Sequence, residues 1–248
     1  MTLAALAPAE AVTLVLASTG ALVLAALVWR HRAGKPLLRA VEMPFRPTNP
    51  GPLLLLALLV LLAGQLGGML VLWGGFADSI LGIALPLAAS AYVGVLARRD
   101  VLAPRGSARW RIGMGFLGLW ASLPLVCGTF LLARWLGLEE QPAVVHIRDR
   151  AERWQALAVF AVLVAPVAEE ICFRGLVYPA LRMRLPVRHA VLFASLAFAF
   201  VHSPAAVWMP MAIFGAFLAL LVEATGSVVP AITAHMAFNA LNLAQLLL

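Results

Sequence analysis

Charge is sparse in this chain. Only 12% of its 248 residues are Asp, Glu, Lys or Arg, about half of what a domain with a water-facing surface carries. Hydrophobic residues make up 63%, and the mean hydropathy is +0.98. That balance excludes an ordinary soluble domain and points to lipid as the main solvent. Lysine is nearly missing, with one residue against 17 arginines. Such a bias hints at a GC-rich, bacterial genome. The net charge of +7 and pI near 10.9 do not signify nucleic-acid binding, because the basic residues stand in short clusters between apolar runs. Cysteine is limited to Cys127 and Cys172, each inside an apolar segment. They supply neither a disulfide framework nor a zinc knuckle and read as packing residues. No connection exceeds about twenty residues, so no soluble domain is inserted, and no repeat or low-complexity tract appears.

Apolar sequence, by contrast, comes in blocks. A helix needs roughly 20 apolar residues to cross the hydrocarbon core. Eight segments approach that length: 11–29, 52–73, 76–97, 112–135, 154–178, 189–203, 206–223 and 229–248. The sixth is short, and the seventh holds Pro210 near its start and Glu223 at its end. The expected fold is all-α, a polytopic membrane protein of about eight transmembrane helices. Residues 1–150 are expected to supply four spans, and residues 151–248 a four-span core. The first span is expected to be retained, since no basic segment precedes it and Trp29-Arg30-His31-Arg32 follows it.

Orientation follows from the arginines. Lys35 with Arg30, Arg32, Arg39 and Arg46 lies between the first two spans, and Arg98, Arg99, Arg105, Arg109 and Arg111 between the third and fourth. Arg182, Arg184 and Arg188 lie between the fifth and sixth. In the opposite loops Arg134, Arg148, Arg150 and Arg153 are balanced by Glu139, Glu140, Asp149 and Glu152. The positive-inside rule puts the first set in the cytoplasm and both termini on the non-cytoplasmic side.

Against this background a few ionisable residues stand out. A charge at mid-membrane costs roughly 2.5–3.5 kcal/mol on insertion scales. The fifth segment nonetheless carries Glu169, Glu170 and Arg174. Glu170 and Arg174 are four apart and share a helix face, while Glu169 is turned about 100° from its neighbour. Arg174 neutralises one acid only, so the other needs a role. One reading is a proton-transferring acid beside a structural anion; the other is an ion-pair network locking helices together. His202 ends the sixth segment, and His235 and Asn239 share a face of the eighth. Each of these polar residues alone is as readily an interhelical hydrogen-bonder. Glu223, next to Thr225-Gly226-Ser227, reads as a solvated helix cap. At about 1.5 Å rise per residue, Glu169, His202, His235 and Asn239 lie roughly 9 to 21 Å below the cytoplasmic ends, near enough in depth to share a cavity.

The three elements Glu169-Glu170…Arg174, Phe198…His202 and His235…Asn239 occur in that order within residues 165–240. Together they resemble the CPBP family of intramembrane proteases, which includes the CAAX prenyl endopeptidases and the bacterial Abi-type bacteriocin-processing or immunity proteins. The resemblance implies peptide-bond hydrolysis without a covalent intermediate. By that likeness Glu169 and His202 activate the water, His235 and Asn239 donate to the oxyanion, and Glu170 and Arg174 support the site. Family members have been treated both as zinc-dependent and as glutamate-type. Glu169, His202 and His235 would be the ligands if a zinc binds, leaving an open position. The same residues suffice without metal and no HExxH is present, so no cofactor is expected to be required. Other intramembrane protease chemistries lack their residues: there is no GxSG element, and Asp78 is the only acid near the second and third spans.

The expected partners are the lipid bilayer and a membrane-associated or lipid-tethered peptide, with no nucleic acid. The expected place is a bacterial inner membrane. There prenylated substrates are uncommon, so a signal or sorting peptide is the better substrate guess. A non-enzymatic binding or bacteriocin-immunity protein on the same fold is the alternative. A proton-coupled transporter fits less well, because no two-half symmetry is evident and the membrane acids sit in one third of the chain.

Overall fold

The computed structural model describes residues 8–34, 50–97, 106–138, 154–202 and 205–246. These residues form eight helices, with no strand among them. They are α1 (Pro8–Arg32), α2 (Gly51–Trp73), α3 (Phe76–Ala97), α4 (Ala108–Trp135), α5 (Trp154–Arg182), α6 (Val187–Phe200), α7 (Trp208–Thr225) and α8 (Val229–Leu246). A 3-10 turn at Ala205–Val207 leads into α7. Each expected segment thus becomes one helix. Five of them, α1, α2, α4, α5 and α7, are long and apolar enough to cross a membrane, while α3 and α6 offer shorter apolar stretches. The loop charges Lys35, Arg39, Arg46, Arg98, Arg99, Arg105, Glu139, Glu140, Arg148, Asp149, Arg150, Glu152 and Arg153 lie outside the described residues.

The surface is the inverse of a soluble protein's. Leu22, Leu55 and Trp135 are 73%, 69% and 81% exposed, whereas Glu170 and Arg174 are fully buried. With lipid outside there is no hydrophobic drive to hold helices together, so close packing at small residues must do it. A methyl group added at Gly20 would collide with the carbonyl of Trp120 on α4, and one at Gly67 with that of Gly82 on α3. At Gly115 it would press on Pro230 and Thr233 of α8. α7 packs against α4, α6 and α8, and the middle of α5 against α2, α3 and α8. At the end of α7, Gly226 takes φ +63° and its N–H returns to the Val222 carbonyl at 2.8 Å, a glycine stop that turns the chain into α8.

α5 is not a uniform helix. It contains two π turns, Phe160–Val164 and Phe173–Val177. Each is followed by a proline two residues on, Pro166 and Pro179. Proline has no N–H to continue the ladder, and a π turn absorbs the break with one residue more per turn. Between the two turns lies Ala165–Cys172, the α-helical stretch that carries both acids.

Candidate active site

Glu170 organises the buried polar centre. Its Oε1 accepts from Arg174 Nη1 at 2.9 Å and from His235 Nδ1 at 2.9 Å. The sequence spacing predicts the first contact; the second joins α5 to α8. Arg174 Nη2 donates to the Gly215 carbonyl at 3.1 Å, tying in α7. The guanidinium carbon lies 4.2 Å from the centre of the Phe198 ring, a cation–π contact made strong by burial. Phe198 also stands edge-on to Phe173 and His235, with centroids 5.3 and 5.7 Å away, and lies 4.7 Å from the His202 ring. The phenylalanine of the second sequence element is therefore the hub on which the arginine and both imidazoles rest.

Glu169 differs from its neighbour. Its side chain is 27% exposed, and Oε2 lies 3.7 Å from His202 Nε2 and 3.9 Å from His235 Nε2, beyond hydrogen-bond length. That oxygen is buried and has no hydrogen-bond partner. The imidazoles are oriented from behind. His202 lies two residues past the end of α6, with Nδ1 2.7 Å from the Phe198 carbonyl. A carbonyl only accepts, so Nδ1 carries the proton and, in the neutral ring, Nε2 keeps its lone pair. His235 Nδ1 faces the Glu170 carboxylate and is set the same way. Trp208 Nε1 donates to the His202 carbonyl at 2.7 Å and fixes the turn after α6. In the neutral rings, two imidazole lone pairs thus face a carboxylate oxygen. Glu169 also borders a cavity of about 150 Å³ between α2 and α5.

These three atoms are of the types that zinc accepts. Among the described residues, however, no group of three or more His, Cys, Asp or Glu side chains is arranged to hold a metal ion.

Asn239 reaches across from α8 to α5. Its Nδ2 donates to the Ala161 carbonyl at 2.7 Å. The π turn explains why. Ala165 N–H bonds to Phe160 rather than to Ala161, and the next residue, Pro166, has no N–H. The Ala161 carbonyl is left without a helical donor, and the amide of α8 supplies one. The signal was present in the sequence as a proline inside an apolar helix.

Glu223 requires a correction. It is not a solvated cap but 4% exposed. Its Oε2 accepts from Tyr178 Oη at 2.6 Å and Arg182 Nε at 3.2 Å, and its Oε1 from Arg182 Nη2 at 3.1 Å. The end of α5 reaches the end of α7 here, so the acid is covered by two partners that sequence spacing could not pair with it.

Comparison with known proteins bears on the same region. Residues 152–241 match the family model of the type II CAAX prenyl endopeptidase Rce1-like proteins. This carboxyl-terminal part of the chain is similar to the Rce1-like family. The match runs from α5 into α8 and includes every residue of the polar centre, and it agrees with the resemblance drawn from the three sequence elements. Helices α1 to α4 precede the Rce1-like stretch. No curated protein and no solved structure matches the chain.

Proposed function

We propose that the protein is an intramembrane endopeptidase in which Glu169 and His202 activate water to cleave a membrane-associated peptide. The observation that carries this reading is the convergence of Glu169 Oε2, His202 Nε2 and His235 Nε2, three acceptors with no donor among them. Three acceptors face one another only at a cost unless a donor lies between them. A water at about 2.8 Å from each would meet separations of this size and give both its hydrogens to the cluster. Held so, it is aimed and basic partners are already in place.

In the proposed reaction that water loses a proton to Glu169, with His202 accepting its other hydrogen bond. Its oxygen attacks the scissile carbonyl, and the resulting oxyanion needs donors. His235 takes up a solvent proton at Nε2 as the substrate enters, leaving Glu169 and His202 to hold the water; with Nδ1 held by Glu170, its Nε2–H then donates to the oxyanion. Asn239 has a second amide hydrogen beyond the one given to Ala161. The proton held by Glu169 then passes to the leaving nitrogen as the C–N bond breaks. The substrate is proposed to be a bacterial signal or sorting peptide, and the setting a bacterial inner membrane with both termini outside the cytoplasm.

The test is cleavage of membrane-tethered peptides by the purified protein. Glu169→Ala and His202→Ala are each expected to lower kcat by about 10²–10⁴, the usual contribution of a positioned acid–base group. Unchanged cleavage by either variant removes the proposed water activation. A binding or immunity role without catalysis would leave the phenotype intact in both variants.

A further inference from the structure

Helix α2 lies outside the Rce1-like stretch and is apolar but for one side chain. Within Gly51–Trp73 the only polar side chain is Gln65, close to the middle of the helix. No described residue bonds it. A carboxamide has two donors and two acceptor sites, and at membrane depth bulk water does not satisfy them. Gln65 borders the cavity that Glu169 also borders, across from α5.

The glycines of the same turn separate packing from function. Gly67 is needed for packing, since a methyl there would strike the Gly82 carbonyl. Gly64 has no such need: a methyl there would meet nothing within 4 Å. Glycine in a helix interior costs roughly 1 kcal/mol against alanine, so Gly64 weakens α2 without easing a contact. What it does is keep the cavity wall open. One turn on, a methyl at Gly68 would just reach the Phe160 ring, at 3.4 Å. The space of about 150 Å³ is walled mainly by apolar groups, Val60, Leu61 and Phe160 among them. A cavity of about that volume holds a benzene-sized group.

We infer that the α2–α5 cavity is the pocket for one aliphatic or small aromatic side chain of the peptide substrate beside the scissile bond, with Gln65 holding the main chain at its rim and Gly64 setting its size. The inference rests on the hydrolase reading above. An extended peptide opened for cleavage in lipid has an N–H and a C=O without partners, each costly if left bare. A single carboxamide offers one acceptor and one donor to such a peptide group. Gln65 is a positioning residue in this arrangement and takes no part in proton transfer.

The experiment uses a single-span peptide in detergent micelles whose cleaved bond has been mapped by mass spectrometry. The residues flanking that bond are changed in turn to Ala, Leu and Phe. At one flanking position the wild type is expected to prefer Leu over Ala at least tenfold in kcat/KM. Gly64→Leu fills the pocket and is expected to lower that Leu-to-Ala ratio at least tenfold, with Gly64→Ala intermediate. Gln65→Leu is expected to raise KM about tenfold with kcat within threefold, and Gln65→Asn to recover part of the loss. A Gly64→Leu preference parallel to wild type, or a Gln65→Leu effect confined to kcat, overturns the pocket. A Glu169→Gln control separates the two ideas: retained cleavage there overturns the water activation by Glu169, and no cleavage by the wild type overturns the hydrolase, while loss of cleavage in Glu169→Gln together with an unaltered Gly64→Leu preference overturns the pocket alone.

Discussion

Among the described residues two buried carboxylates are paired with arginines, and they are built to opposite ends. Glu223 at the end of α7 has both oxygens bonded, by Tyr178 and Arg182. Glu170 in α5 bonds Arg174 and His235 through one oxygen and leaves the other bare, and Arg174 Nε is bare as well. A satisfied cluster is a fastening between helices. An unsatisfied one stores unmet hydrogen bonding in a low-dielectric place, and native structures tolerate that mainly where a ligand, a water or a reaction uses it. Charge in the membrane therefore does not by itself mark a site. The unmet hydrogen bonding around Glu169, Glu170 and Arg174 is what favours the proposed site there.

Exchanging the same substitution between the two clusters is the strongest way to break this comparison. Glu170→Gln leaves Arg174 buried beside a neutral partner and unseats His235. We expect it to destabilise the protein by about 3–5 kcal/mol and to reduce the kcat of the molecules that remain folded by at least tenfold. Glu223→Gln should cost about 3 kcal/mol through Arg182 and leave the kcat per folded molecule within twofold. Unfolding in mild detergent, with activity normalised to folded protein, reads both quantities. Equal losses of kcat in the two variants would mean that both clusters are fastenings and the difference in bonding carries no function.

The fold was largely legible because lipid leaves the chain few choices: backbone groups must pair internally, so apolar runs become helices. Among the described residues the eight runs became eight helices, and the Glu170–Arg174 spacing became an ion pair. What the sequence left hidden was pairing between helices. Glu223 looked like a cap because its nearest sequence neighbours are small and polar, yet its partners lie 45 and 41 residues earlier. The partner of Asn239 stayed hidden because a π turn in α5, 78 residues away, cannot be placed from periodicity. His235 could be ranked only once Glu170 was seen behind its Nδ1.

That hidden link between Asn239 and Pro166 gives a smaller and sharper test. If the amide serves a carbonyl orphaned by the π turn, Asn239→Ala should destabilise by about 1–3 kcal/mol. Pro166→Ala restores an N–H to α5, lets the turn tighten and gives Ala161 a helical donor. The cost of Asn239→Ala should then fall, with a coupling of about 0.5–3 kcal/mol in a double-mutant cycle. Additive effects would mean that the Asn239–Ala161 bond does not depend on the proline break. Asn239 would then belong with the unsatisfied cluster rather than with the fastenings.

The smallest expected effect falls on Gly215 of α7, which backs the Glu170–Arg174 pair. Its carbonyl accepts from Arg174, and a methyl added there would lie 3.1 Å from Arg174 Nη2 and 3.2 Å from the Phe198 ring. Those distances are tight but not impossible, so Gly215→Ala should push the guanidinium by a few tenths of an ångström rather than unfold the helix. The overpacking should cost about 1–3 kcal/mol, offset in part by alanine's better helix propensity, roughly 1 kcal/mol. Net stability should therefore fall by no more than about 2 kcal/mol. The kcat should fall severalfold, because Arg174 holds Glu170 and Glu170 holds His235. A matching loss of stability with unchanged kcat would show that the Glu170–Arg174 pair tolerates displacement as a fastening does, and would narrow the functional part of the cluster to Glu169 and His202.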